Sequence, residues 1–152
     1  MEPEVSRTVA TDTDAVWSVL ADGWAYPLWV VGATHMRDVD DDWPAVGSRL
    51  HHSVGVWPFQ LRDHTEVVGV DPGRRLELRA RAWPAGGAHV TITLEPDGPH
   101  ACRVTLREVA AEGPGAWVPS VLQAPPVNLR NAETLSRLVD VALHRRGARP
   151  RA

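Results

Sequence analysis

Three ionisable residues stand at strand parities that could bring them together: His52, Asp63 and Glu108. Leu50, His52, Val54 and Val56 alternate along one run, and Leu61, Asp63, Thr65 and Val67 along the next. If Trp57-Pro58-Phe59 contains a turn with an even number of loop residues, such as Pro58 and Phe59, the two sets share a face and His52 neighbours Asp63. A carboxylate beside an imidazole favours its protonated form or fixes its tautomer, and either suits a general acid or base. Farther on, Cys102, Val104 and Leu106 alternate with Arg103, Thr105 and Arg107, a phase that turns Glu108 inward unless a bulge intervenes. An apolar surround would favour its protonated form. Together the three could enolise a carbonyl compound or assist its cyclisation. An odd loop or one bulge would turn His52 and Asp63 apart, and a buried Glu could simply bond a Trp N–H or a backbone amide.

Other chemistry finds less support. The seven His include no pair at helical metal-ligand spacing, and adjacent His51 and His52 point to opposite faces of a strand, so no metal is expected. There is no phosphate-binding Gly loop, Gly-x-Ser-x-Gly elbow or Cys-x-x-Cys pair, and no cofactor is expected. With 16 basic and 19 acidic residues, the net charge is −3, which lacks the concentrated positive field that a nucleic-acid partner demands. Seven Trp against one Phe and one Tyr is an unusual balance. Trp combines a large apolar area with one N–H that needs a partner when buried, so some rings are expected to line a partly polar space.

The elements that must position these residues follow from periodicity and punctuation. At 152 residues and 43% hydrophobic, the chain fits one domain, read as 1–147 with a basic, frayed tail at 148–152. A single cysteine and the lack of a leader pattern point to the cytoplasm. No segment approaches the roughly 18 apolar residues of a membrane span. After a short alternating run at Val5 to Ala10, Thr11 to Asp14 fits a Thr-x-x-Asp start, predicting a helix from near Thr13 and a second short one around Pro27 to Val31. Strand segments then alternate with turn clusters at about 10 to 15 residues, which reads as an antiparallel meander. Leu76, Leu78, Ala80 and Ala82 oppose Glu77, Arg79 and Arg81; Val90, Ile92 and Leu94 oppose His89, Thr91 and Thr93. One face is dry and the other wet. The Gly- and Pro-rich stretch from Glu112 to Pro126 reads as a long loop, a lid or rim. Asn131 to Arg145 carries the apolar stripe Leu135, Leu138, Val139 and Ala142 and predicts a strongly amphipathic helix, stopped by Gly147 and Pro150.

This order resembles the helix-grip fold of the START and Bet v 1-like superfamily, in particular its bacterial polyketide cyclase/dehydrase and lipid-transport branch, usually called SRPBCC proteins. The resemblance covers nearly the whole chain. It is carried by Asp14-Ala-Val-Trp-Ser-Val-Leu20, Trp29-Val-Val-Gly32, Trp43-Pro-Ala-Val-Gly-Ser48, Glu66-Val-Val-Gly-Val-Asp-Pro-Gly-Arg-Arg-Leu76 and the helix from Asn131 to Leu143. It implies an α+β fold with a curved antiparallel sheet of about seven strands, two short helices after the first strand, and a long C-terminal helix. Between sheet and helix it implies a cavity for a small apolar or aromatic molecule. The wall is expected to include Val54, Thr65, Leu78, Ala80, Ile92 and Leu106 from the sheet and Leu135 and Leu138 from the helix. Trp24, Trp29, Trp57 and Trp117 are expected at its mouth and rim, where they could stack on a planar ligand. Three functions stay open, since fold alone does not choose among them: a carrier or sensor, a cyclase or dehydratase using His52, Asp63 or Glu108, and a protein-interaction module with a vestigial cavity. An exposed edge strand or the Trp-rich rim could support a homodimer.

Overall fold

The computed structural model describes residues 3–31, 33–54, 61–82, 86–113, 117 and 120–148. Strand β1 (Glu4–Val9) leads into helix α1 (Thr13–Leu20), a single 3-10 turn (Gly23–Ala25) and the short helix α2 (Tyr26–Trp29). Strands β2 (Ala33–Val39), β3 (Arg49–Val54), β4 (Leu61–Asp71), β5 (Arg75–Ala82), β6 (Gly86–Pro96) and β7 (Cys102–Glu112) follow, and helix α3 (Ser120–Ala148) closes the chain. The seven strands form one antiparallel sheet in the order β1-β7-β6-β5-β4-β3-β2. Consecutive hairpins build the meander from β2 to β7, and β1 returns to pair with β7, so β1 and β2 are the two edges. This is the helix-grip architecture.

Local chemistry accounts for the element boundaries. The α1 cap is Asp12 rather than Thr11: its extended backbone lets Oδ1 accept from Ala15 N at 2.9 Å, while the buried Thr11 Oγ1 has no partner among the described residues. Asp22 repeats the device ahead of the 3-10 turn, accepting from Trp24 N. In the β4–β5 turn, Arg74 N donates to Asp71 O at 2.9 Å, and Gly73 takes φ +80°, which a side chain would resist. Register is regular through most of the sheet but shifts twice within β2, once between Val67 and Gly69, and once between Gly87 and Ala88 where β6 meets the end of β7.

The stretch expected as a lid is partly helical. Helix α3 starts at Ser120, not Asn131, and so takes in Pro125 and Pro126. These two prolines fall in the first two turns and each gives up one bond to the carbonyl four residues back, a local loss that a 29-residue helix tolerates. At the other end α3 runs through Gly147 to Ala148.

The core lies between the sheet's inner face and α3. Leu135, Leu138, Val139 and Ala142 pack against Leu76, Leu78, Ile92, Leu94, Val104 and Leu106, with Val16, Val19 and Leu20 of α1 sealing one end. Two polar ties fix the helices to one another. Arg145 of α3 donates to Ser18 O at 3.2 Å and to Asp22 Oδ2 at 2.6 Å. Val31 N, just past α2, donates to Thr134 Oγ1 of α3 at 3.4 Å.

Candidate functional site

Beyond the packed core, sheet and α3 diverge around a cavity of about 340 Å³. Its sheet wall is Leu78, Ala80, Ala88, Val90 and Leu106, with Arg81 at the end of β5; Tyr26, Trp29, Val30 and Val31 close it from the α2 side, and Arg130, Asn131 and Thr134 face it from α3. Into this apolar frame project His52, Thr65 and Glu108.

Strand pairing explains the polar group. The register aligns Leu50 with Thr65, His52 with Asp63 and Val54 with Leu61, so the two alternating sets share one face. Within that face His52 bonds diagonally: its Nε2 lies 2.9 Å from Thr65 Oγ1, which is also 3.4 Å from the Tyr26 hydroxyl. The rings of Tyr26 and His52 stack with centroids 5.9 Å apart, and Trp29 meets Tyr26 edge-on at 5.3 Å. Burial holds the His52 imidazole below its ordinary pKa of 6.5, against the pull of the Asp63 carboxylate, and so keeps it neutral near pH 7. Burial also raises the Tyr26 phenol.

Glu108 follows the inward phase of β7, pairing with Val90 across the sheet, and its side chain is 15% exposed. It meets the guanidinium of Arg130 rather than a wholly apolar surround. Asp63 is half-buried, is not part of the cavity wall, and accepts from His64 N through Oδ1.

The aromatic and aliphatic candidates divide. Trp29, Thr65, Leu78, Ala80 and Leu106 are on the wall. Ile92, Leu135 and Leu138 lie in the close-packed core instead, because the cavity occupies only part of the sheet–helix interface. Trp24 and Trp117 are 57% and 82% exposed and do not line this cavity. Val54 keeps its place on β3 opposite Leu61, and Trp57 lies outside the described residues. Tyr26, Arg130, Asn131 and Thr134 were not anticipated. Asn131 and Thr134 each stand four residues before Leu135 and Leu138, so a polar pair in line with an apolar stripe is the available signal. Among the described residues, no three His, Cys, Asp or Glu gather as metal ligands, and no helix is long and apolar enough to cross a membrane.

A sheet gripping a long helix around an internal cavity defines a class, and comparison with known proteins places the chain within it. The family model described as polyketide cyclase/dehydrase and lipid transport matches residues 2–142. The chain belongs to that SRPBCC-type family. Among solved structures it is similar to protein MLL2253 from Mesorhizobium loti, with 18% identity, TM-score 0.68, and coverage of 95% of this chain and 98% of that one. A conserved protein from Geobacillus kaustophilus superposes with TM-score 0.71 at 14% identity, covering 95% and 96%. DynU16, described as belonging to the dynemicin biosynthetic locus, gives TM-score 0.61 at 20% identity over 91% of this chain and 45% of its own. At these identities the likeness is one of fold. No curated protein sequence matches the chain.

Proposed function

We propose that this protein carries or senses a small hydrophobic or aromatic molecule held between the sheet and α3. The carrying observation is the cavity of about 340 Å³ framed mainly by aliphatic and aromatic side chains, within the range of about 300–1,000 Å³ usual for small-molecule sites. The stacked rings of Tyr26 and His52, with Trp29 edge-on, supply a flat aromatic wall suited to a planar guest. Mass spectrometry of solvent extracts from the purified, denatured protein tests this. A defined small molecule is expected, and it should be absent from Ala80→Trp, which fills the space. A protein without extractable guest that also binds no aromatic probe would point instead to an interaction module.

A second reading, a cyclase or dehydratase, is favoured by the neutral His52 on the wall, which is in the state a general base requires. DynU16 lends it context, because a protein of the same fold lies in a biosynthetic locus. Under this reading His52 takes a proton from a bound carbonyl compound while Arg130, paired with Glu108, balances developing negative charge. If His52→Ala and Glu108→Gln both leave turnover of an identified substrate unchanged, the acid/base reading is wrong.

A further inference from the structure

The residues that line the cavity are unevenly covered. Trp29, His52, Thr65 and Leu106 are buried, whereas Arg81 at the end of β5 and Arg130 on α3 are exposed, with Ala80, Ala88 and Glu108 half-buried. Ala80 and Ala88 pair directly across β5 and β6, so two small side chains border this end on the sheet side. The cavity therefore meets solvent between the Arg81 end of the sheet and the early part of α3.

Glu108 and Arg130 stand across that opening. Glu108 comes from β7 and Arg130 from α3, and the guanidinium donates to Glu108 Oε2 through Nη2. With the carboxylate 15% exposed and the guanidinium 44%, the pair sits at the boundary with water.

The helix is held unevenly as well. From Asn131 onward packing anchors it: Asn131, Thr134, Leu135, Leu138, Val139 and Ala142 are buried. Just before them, Val127 and Asn128 are only half-buried, and Leu129 and Arg130 are exposed. A helical segment owes most of its stability to its packed face, so these four residues gain little from the core. The turn ahead of them contains Pro125 and Pro126 and so lacks two backbone donors. The other polar ties of α3, from Thr134 to Val31 N and from Arg145 to Ser18 and Asp22, lie farther along the helix.

We propose that the Glu108–Arg130 pair is a latch that holds residues 127–130 of α3 over the cavity mouth, and that a small molecule enters or leaves when the pair parts. The role as an entrance rests on the reading of the cavity as a ligand site. The latch itself is a property of the helix and can be tested without a guest. A partly exposed ion pair is weak, so parting is frequent, and removing the pair changes the rates by a modest factor of about three to ten.

Hydrogen–deuterium exchange of the ligand-free protein tests the latch. In Glu108→Gln and in Arg130→Met, the amides of residues 127–133 should exchange about three- to tenfold faster than in wild type, while those of residues 138–142 keep their protection. Unchanged exchange at 127–133 overturns the latch. So does equal acceleration of both sets, which would make the pair a contact that stabilises the whole fold. Stopped-flow mixing with N-phenyl-1-naphthylamine, a neutral aromatic probe that brightens in apolar surroundings, tests the entrance. Association should be several-fold faster in both variants, because entry no longer waits for the pair to part. Association at the wild-type rate with faster dissociation would make the pair a piece of the wall and overturns the entrance. Failure of the probe to bind any of the three proteins overturns the ligand-site reading and the entrance with it, whereas the exchange result judges the latch on its own.

Discussion

Burial sets the protonation of His52, and pH therefore reads its environment. Its folded pKa lies below the ordinary 6.5 because desolvation disfavours the imidazolium. Between the two values the unfolded chain binds more protons than the native one, so stability rises with pH across that window. The contribution is intact above about pH 6.5 and is lost as pH falls through the lowered value. Urea unfolding at pH 7.5 and 5.5 should show wild type losing more stability than His52→Gln. His64, shifted in the same direction by burial, is common to both proteins and cancels in the comparison. Equal losses would show that His52 ionises as freely in the fold as outside it. The Glu108–Arg130 pair makes a second forecast, based on unequal exposure of 15% and 44%. Removing the better buried partner leaves a guanidinium that water can solvate, so Glu108→Gln should cost under about 1 kcal/mol. Arg130→Met strands the enclosed carboxylate and should cost about 1–3 kcal/mol. Denaturant titration of the two variants checks the order, and the reverse order would place the charge burden on Arg130.

Elements reveal why some of the site was legible and some was not. Strand phase carried Glu108 to the inner face because Cys102, Val104 and Leu106 are buried without an intervening bulge up to that point. Parity likewise aligned His52 with Asp63, since six residues separate Val54 from Leu61. Which neighbour takes the imidazole's hydrogen bond was beyond parity: Thr65 is reached diagonally, and Tyr26 arrives from a four-residue helix whose docking is a tertiary matter. Helix α3 was half seen, because the 3.6-residue stripe is clear from Leu135 onward while Pro125 and Pro126 read as a break. The stripe itself supplies a forecast. Leu138 is fully buried and Leu129 largely exposed on the same helix. Leu138→Ala should cost about 2–5 kcal/mol, whereas Leu129→Ala should stay within about 0.5 kcal/mol. Thermal unfolding of both would show it, and similar losses would mean that Leu129 is covered in solution.

At the scale of the whole molecule, one cavity joins sheet, α2 and α3, so occupancy should stabilise all of them together. A guest that binds only the folded state adds about 2.7 kcal/mol at a hundred times its dissociation constant. Calorimetric unfolding with increasing concentrations of a bound aromatic probe should shift as one cooperative transition to higher temperature. A melt that splits, with α3 released early and the sheet unaffected by the probe, would separate the helix from the binding unit. The two margins of the sheet differ in a way that bears on self-association. Strand β2, at one margin, slips register against β3 at two points within seven residues. Such a border offers no long straight row of amides and carbonyls for another chain to copy. The fold thus keeps an open sheet around its cavity while blunting, along β2, the template on which cross-strand aggregation would grow.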